Sequence, residues 1–179
     1  VFAVAFLISF TSKSERLKHI SEVLMGFGLI FYGLQLMSQS SHYFAGVEEL
    51  GTFFQQIRSQ PLISLLLSMI FCGLIHSSAV TIGLAMSLAS VNAISPYDAL
   101  FWVLGANIGT TSTAIMAAMS SNHIGRQVAW SHFFYKAASV VMVYPLAQPF
   151  FDWVSSFSLT SNRAIANSHL VFNVLSAAI

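Results

Sequence analysis

Two short clusters of small polar residues interrupt a long apolar stretch of this 179-residue chain. The first is His-Ser-Ser-Ala-Val-Thr at 76–81, and the second is Gly-Ala-Asn-Ile-Gly-Thr-Thr at 105–111. Between Arg58 and Arg126, Asp98 is the only residue with a formal charge. Polar, irregular backbone inside a membrane survives only where it is buried in protein or lines a cavity. The two clusters therefore indicate an intramembrane binding site for ions.

The two clusters suit ligands of opposite charge. Serine and threonine hydroxyls at the first cluster can donate and accept, and a helix beginning just after them directs N–H groups at an anion. At the second cluster, two glycines let the backbone unwind, and the freed carbonyls and side-chain oxygens suit sodium. The candidate anion-binding residues are His76, Ser77, Ser78, Thr81, Asn107, Thr110 and Thr111. The candidate sodium ligands are Ser77, Ser78, Gly105, Asn107, Gly109, Thr110 and Thr111.

Each hydroxyl also has a simpler interpretation. Serine and threonine in membrane helices often bond back to their own helix or join neighbouring helices. For the cluster at 105–111, the combination of two glycines with three side-chain oxygens favours a binding role instead.

Lys136 is a further candidate because of its position. It lies ten residues past Arg126, about 15 Å along a helix and close to the midplane of a bilayer. Charged groups at that depth usually face a cavity or a partner. We therefore expect its ammonium to stand in for a bound cation or to neutralise the anion. The alternative is a shifted helix from which Lys136 reaches the interface.

The composition indicates an integral membrane protein. The chain is 56% hydrophobic and 7% charged, whereas soluble domains carry roughly 25% charged residues. Its mean hydropathy is +0.75, and a net charge of +1 argues against nucleic acid as a partner. Cys72 is the only cysteine, which excludes an internal disulfide. We expect a multi-pass protein of the plasma or inner membrane.

The apolar runs predict an all-α polytopic bundle in three parts. Residues 1–20 form the end of a preceding transmembrane helix and a polar link, and residues 21–125 form a central unit. Residues 126–179 add two further transmembrane helices. Because both ends lie within apolar runs, we expect the chain to be a piece of a longer protein.

The central unit is predicted to hold a transmembrane helix, a helical hairpin at 61–92 and a broken helix at 96–120. The hairpin arms have about 13–15 residues, or roughly 20–22 Å, and are too short for a hydrocarbon core of about 30 Å. The hairpin should therefore be re-entrant, with its tip at 76–78. One continuous helix is the alternative.

A short internal echo adds a second pattern. The sequence Ser-His-x-x-aromatic-polar-x-x-Ser occurs at 131–139 and again at 168–176. The two segments are either related or similar by chance.

These motifs carry a resemblance to a known family. The heptapeptide at 105–111 resembles the signature of the sodium/phosphate cotransporters (type II, with their bacterial relatives). Residues 76–79 fall where that family carries Gln-Ser-Ser-Ser. Residues 26–37 resemble its repeat-opening helix, and residues 166–173 resemble its His-x-x-Phe-Asn helix. The resemblance covers most of the chain from about residue 20 onward.

The resemblance implies sodium-coupled secondary transport of inorganic phosphate or a similar anion, with sodium as the coupling ion and no other cofactor. The family contains two inverted repeats, each contributing a serine-rich hairpin and a broken helix to one central site. The chain is thus expected to supply one half of that site, and the rest of the full-length transporter the other half. The chain differs from the family pattern at His76, which replaces Gln, at Ala79, which replaces Ser, and at Lys136, which replaces Asn.

Two other classes of function remain as alternatives. The first is a non-transporting membrane scaffold or ion-binding relic, because Ala79 lacks the hydroxyl of the family pattern. The second is an intramembrane hydrolase that uses Ser77 or Ser78 with a histidine base. The Gly-x-Ser-x-Gly motif of hydrolases does not occur in the sequence, so we expect no enzymatic activity.

Overall fold

The computed structural model describes residues 2–45, 47–58 and 60–178, and the regular structure in these ranges is helical. The elements are α1 (Phe2–Thr11), α2 (Glu15–Ala45), α3 (Glu48–Arg58), α4 (Pro61–Ile75), α5 (Ser78–Ser90), α6 (Pro96–Gly109), α7 (Thr111–Met119), α8 (His123–Val143), a 3-10 turn (Tyr144–Leu146), α9 (Ala147–Ser156) and α10 (Ser161–Ala177). The predicted all-helical class is confirmed.

Two of the described helical segments are long and apolar enough to cross a membrane. They are Glu15–Ser40, with 26 residues, and Pro96–Met119, with 24 residues. The number rises to three if Thr52–Arg58 and Pro61–Ile75, which meet at a bend of 117°, count as one span. These lengths match the roughly 20 residues that a hydrocarbon core requires.

The chain divides into two compact units, Val1–Ser40 and Ser41–Ile179. In the first unit, α1 lies against α2 at Gly28, where an added Cβ would meet the backbone of Phe2 at 3.2 Å. Because glycine has no side chain, the two helices approach closely at this point.

Helix α2 begins earlier than the sequence predicts. The predicted start is residue 21 and the observed start is Glu15, which leaves a link of only three residues, 12–14. Glu15 lies in the first turn, where a carboxylate is favoured by the helix dipole, and it accepts a bond of 3.2 Å from Lys18. Glu15, Arg16 and Lys18, which lie within the predicted polar link, therefore form the first turns of the helix.

The second unit is organised around α6, in which every residue from Asp98 to Gly109 is buried. The helix begins at Pro96, the residue at which the sequence predicts it. The Asp98 N–H donates to Ser95 Oγ at 3.0 Å, and the Ser95 N–H donates to Asp98 Oδ2 at 2.8 Å. Arg58 Nε lies 3.5 Å from the same carboxylate oxygen. This reciprocal cap pairs backbone donors that a helix start otherwise leaves unpaired.

Helix α4 lies directly against the backbone of α6. A Cβ added at Gly105 would lie 2.1 Å from the carbonyl oxygen of Leu65, and one added at Gly109 would lie 2.5 Å from that of Met69. Since the residue numbers of the contacts increase together, the two helices run in the same direction. Glycine is the residue that permits such an approach between helices in a membrane.

These contacts correct the predicted role of the glycines. Helix α6 continues through Gly105 and Gly109, and the interruption before α7 is Thr110 alone. Thr110 keeps right-handed helical angles (φ −60°, ψ −22°), and its N–H still donates to the Ala106 carbonyl at 3.0 Å. The prediction that 105–111 unwinds is wrong, because the glycines serve helix packing and the hydrogen bonds along the helix remain.

Helices α4 and α5 are separated by two residues. His76 adopts left-handed angles (φ 59°, ψ 26°) and ends α4, with its N–H donating to the Cys72 carbonyl at 2.8 Å. Ser77 is extended and caps α5, where its Oγ accepts from the Val80 N–H at 3.3 Å. The alternative of one continuous helix is therefore wrong. The five residues 91–95 then connect α5 to the start of α6.

The remaining helices cover the other side of α6. Leu100, Leu104 and Ile108 of α6 form one apolar cluster with residues of α8, α9 and α10, including Val154 and Phe172. The segment between α8 and α10 contains α9, which packs into this core. The predicted parts 1–20, 21–125 and 126–179 stay predictions.

The contact between α4 and α6 leads to the first prediction. Gly105→Ala should destabilise the full-length protein by about 1–3 kcal/mol, the usual effect of forcing extra atoms into a packed interface. Gly73→Ala on the facing helix is the matched control, because its nearest neighbours would be 3.8 Å away. Thermal unfolding of the purified protein measures both. Equal midpoints for the two variants would contradict the observed packing.

Candidate functional site

The turn between α4 and α5 is joined to α7 through Ser112. The Ser112 hydroxyl donates to the Gly73 carbonyl at 3.1 Å, and His76 Nδ1 lies 3.2 Å from the same hydroxyl oxygen. Because the single hydroxyl proton is directed at Gly73, Nδ1 of His76 is the donor to Ser112. A neutral His76 then presents Nε2 as an acceptor.

Sequence reasoning missed Ser112, although it directly follows the heptapeptide. The available signal was its place as the third hydroxyl in a row, after Thr110 and Thr111. Its partners are 36 and 39 residues away in the chain, so nothing local to the residue indicates the contact.

The three candidate threonines bond back to their own backbone. Thr81 Oγ1 donates to the Ser77 carbonyl at 3.0 Å, Thr110 Oγ1 to the Asn107 carbonyl at 2.9 Å, and Thr111 Oγ1 to the Ile108 carbonyl at 2.7 Å. A hydroxyl has one proton and two lone pairs. These oxygens therefore remain acceptors only, which suits a cation better than an anion.

The two serines at the turn have a different character. Ser77 Oγ is the acceptor in its bond with the Val80 N–H, so that bond does not use its hydroxyl proton. Ser78 is the first residue of α5, and both side chains are half-buried. With the first N–H groups of α5 beside them, these hydroxyls suit an anion.

The two glycines contribute differently from expectation. Gly105 lies inside α6 and Gly109 is its last residue, so their carbonyls do not belong to an unwound segment. The expectation that unwinding frees them as sodium ligands loses its structural basis. Side-chain oxygens are then the stronger candidates for a cation site.

A second polar group forms where α6, α8 and α10 meet. Lys136 Nζ donates to Asn173 Oδ1 at 2.8 Å and to Asn107 Oδ1 at 3.3 Å. Asn107 is 3% exposed, and Lys136 is half-buried. The structure thus brings Lys136 together with one predicted site residue and with Asn173, which was not among the predicted site residues.

The two similar segments, 131–139 and 168–176, supply residues of this polar group. Lys136 and Asn173 occupy equivalent positions of the two similar segments, as do Ser139 and Ser176, whose hydroxyls lie 2.9 Å apart. Tyr135 also donates from its Oη to the Ser176 carbonyl. Two pairs of equivalent polar residues, Lys136 with Asn173 and Ser139 with Ser176, therefore contact each other directly, a relation that the pattern alone does not reveal.

Two further hydrogen bonds join α4 to α6. Ser68 Oγ donates to the Trp102 carbonyl at 2.6 Å, and Cys72 Sγ donates to the Ala106 carbonyl at 3.3 Å. Both donors are fully buried. Together with the glycine contacts, these bonds hold the turn at 76–77 and Asn107 on one rigid pair of helices.

Comparisons with known proteins agree on one family. The sequence profile of the Na+/Pi-cotransporter family matches residues 41–161. YqeW of Bacillus subtilis is 31% identical over 180 aligned positions, which cover 99% of this chain and 58% of YqeW. The Escherichia coli protein named "Putative inorganic phosphate export protein YjbB" is 23% identical over 163 residues, covering 91% of this chain and 30% of YjbB.

A mammalian relative matches a shorter region. The sodium-dependent phosphate transport protein 2B of Bos taurus is 36% identical over 77 residues, which cover 41% of this chain and 11% of that protein. The chain thus spans about three-fifths of YqeW and less of the other two. No solved structure matches the chain significantly.

Proposed function

The chain belongs to the Na+/Pi-cotransporter family, and we propose that it forms part of a membrane protein that transports inorganic phosphate coupled to sodium. The observation that carries this proposal is the family match over 41–161, which contains the turn at 76–77, the heptapeptide and Lys136. The chain itself is an integral membrane protein, with helices able to span a bilayer. The transport activity of the full-length protein is what we propose.

The directions of the hydrogen bonds suggest which side chains bind phosphate and which bind sodium. Phosphate is an acceptor of hydrogen bonds, so it is assigned to the hydroxyl protons of Ser77 and Ser78 and to the first N–H groups of α5. Sodium requires oxygen lone pairs, so it is assigned to the oxygens of Thr81, Thr110 and Thr111, whose protons are already donated. His76 contacts Ser112 and Asn107 accepts from Lys136, so neither side chain is assigned to one of the two ions.

Helices α4 and α5 are proposed to form a re-entrant pair. They have 15 and 13 residues, or about 22 and 20 Å at 1.5 Å per residue, and neither crosses a core of about 30 Å. The polar turn would then lie within the membrane, where irregular backbone must line a protein cavity. An equivalent repeat elsewhere in the full-length protein is proposed to complete the site.

The direction of transport is a separate question, for which the relatives suggest two answers. The bovine relative is named for sodium-dependent phosphate transport, and YjbB is named for phosphate export. Export is therefore a second candidate function. The comparisons favour a transporter over the alternatives of a hydrolase or a non-transporting scaffold, although Ala79 still lacks the family hydroxyl.

Phosphate flux tests the proposal and its site together. The full-length protein in proteoliposomes should move labelled phosphate in a sodium-dependent manner, measured in both directions. Ser77→Ala should reduce that flux by about 10- to 150-fold, because loss of a donor to a buried charged ligand costs roughly 1.5–3 kcal/mol. Ser77→Thr keeps the hydroxyl and should retain most of the flux.

The control for this series is Ser87→Ala, which lies within α5, ten residues beyond the cap residue Ser77. If Ser77→Ala and Ser87→Ala reduce flux equally, the effect reflects packing and not a phosphate contact. A wild-type protein without phosphate flux would support the scaffold alternative. Flux that persists unchanged without sodium would contradict the coupling.

The re-entrant pair makes a prediction about topology. In a full-length protein without other accessible cysteines, Gln60→Cys and Asn92→Cys should react with an impermeant maleimide from the same side. Both residues are exposed and flank α4 and α5. Ser120→Cys, which follows the 24-residue span Pro96–Met119, should react from the opposite side. Labelling of residues 60 and 92 from opposite sides would rule out re-entrance.

A further inference from the structure

The ammonium group of Lys136 joins three helices through neutral oxygens. It lies on α8 and donates to Asn107 Oδ1 of α6 at 3.3 Å and to Asn173 Oδ1 of α10 at 2.8 Å. An ammonium has three protons to donate. Two of them are therefore directed at amide oxygens contributed by two different helices.

Each amide is oriented by its own helix. Asn107 Nδ2 donates to the Val103 carbonyl at 3.0 Å, and Asn173 Nδ2 donates to the His169 carbonyl at 2.8 Å. Because the NH₂ side of each amide is occupied by a carbonyl four residues earlier, the oxygen side faces Lys136. The two oxygens are thus fixed around a unit positive charge before any ligand arrives.

The charge of Lys136 is not paired with a carboxylate among the described side chains. The ion pairs found there use Glu15, Glu22 and Asp98, with Lys18, His19 and Arg58 as their partners. An intramembrane charge normally faces a partner or a water-filled cavity. Here the partners are neutral carbonyl-type oxygens, which are also the ligands that hard cations prefer.

We propose that the Lys136 ammonium is a built-in substitute for a bound monovalent cation at the junction of α6, α8 and α10. The proposal rests on the proposed sodium-coupled phosphate transport and specifies its coupling. A fixed positive charge helps to neutralise the phosphate site without being transported. This half of the transporter therefore couples fewer sodium ions than it would with a neutral residue at position 136.

The transport test replaces the Lys136 ammonium with an amide, which adds a third amide oxygen to those of Asn107 and Asn173. Lys136→Asn in the full-length protein should make phosphate flux more steeply dependent on sodium, by about one further ion per cycle, and lower the flux at low sodium about tenfold. Lys136→Arg retains the charge and should keep the sodium dependence of the parent. His132→Ala, exposed and one turn earlier on α8, is the control for the helix itself.

Three outcomes of this test would overturn the proposal. One is an unchanged sodium dependence in Lys136→Asn while flux persists. Another is an increased KM for phosphate with the sodium dependence unaltered, which would make Lys136 a direct phosphate contact. The third is a loss of function in Lys136→Arg equal to that in Lys136→Asn, because the positive charge would then be insufficient.

A second measurement keeps the proposal testable if the wild-type protein transports no phosphate. Sodium that binds the folded state raises the unfolding temperature, so Lys136→Asn should gain a sodium-dependent stabilisation beyond that of the parent, with choline as the reference cation. Lys136→Gln provides the same oxygen if Lys136→Asn does not fold. Equal sodium effects in parent and variants would refute the cation site independently of transport.

Discussion

The backbone contact between α4 and α6 is the constraint on which the second unit depends. Gly105 and Gly109 leave no room for a side chain between the helices, and bonds from Ser68 and Cys72 to α6 carbonyls strengthen the pair. In a membrane, where apolar side chains gain nothing by leaving lipid, close packing and interhelical hydrogen bonds drive association. The same pair holds the polar turn at 76–77 in place against α7.

The threonine and serine hydroxyls near the helix ends differ in where their protons are directed, and this difference determines which ligands they suit. Thr81 of α5, Thr110 between α6 and α7, and Thr111 of α7 donate to their own backbone, so their side-chain oxygens keep only lone pairs. Ser77 instead accepts from the backbone, so its bond with the Val80 N–H does not use its proton. Asn107 Oδ1 accepts from Lys136 Nζ of α8. These bond directions are the basis on which we propose an anion site at the serines and a cation site at the threonines.

Local sequence patterns predicted the elements better than their contacts. The start of α6 was predictable because Ser95, Pro96 and Asp98 are typical of a helix start, and the turn after Ile75 because polar residues interrupt an apolar run. The role of Gly105 was not predictable, since a glycine in a helix is compatible with unwinding or with close packing. The contact that decides between them is with Leu65, 40 residues away. Asn173 was likewise missed as the partner of Lys136, because only the fold brings α8 and α10 together.

In the proposed arrangement, one pair of packed helices presents a phosphate site at the turn, and the Lys136 ammonium occupies the position of a bound cation. An experimental structure of the full-length protein with phosphate and thallium(I), whose anomalous scattering marks monovalent cation sites, tests it most directly. Phosphate should lie at the start of α5 against Ser77, thallium should lie at the threonine oxygens, and no thallium should lie between Asn107 and Asn173. Phosphate bound away from the start of α5, or thallium between the two asparagines, would contradict the account.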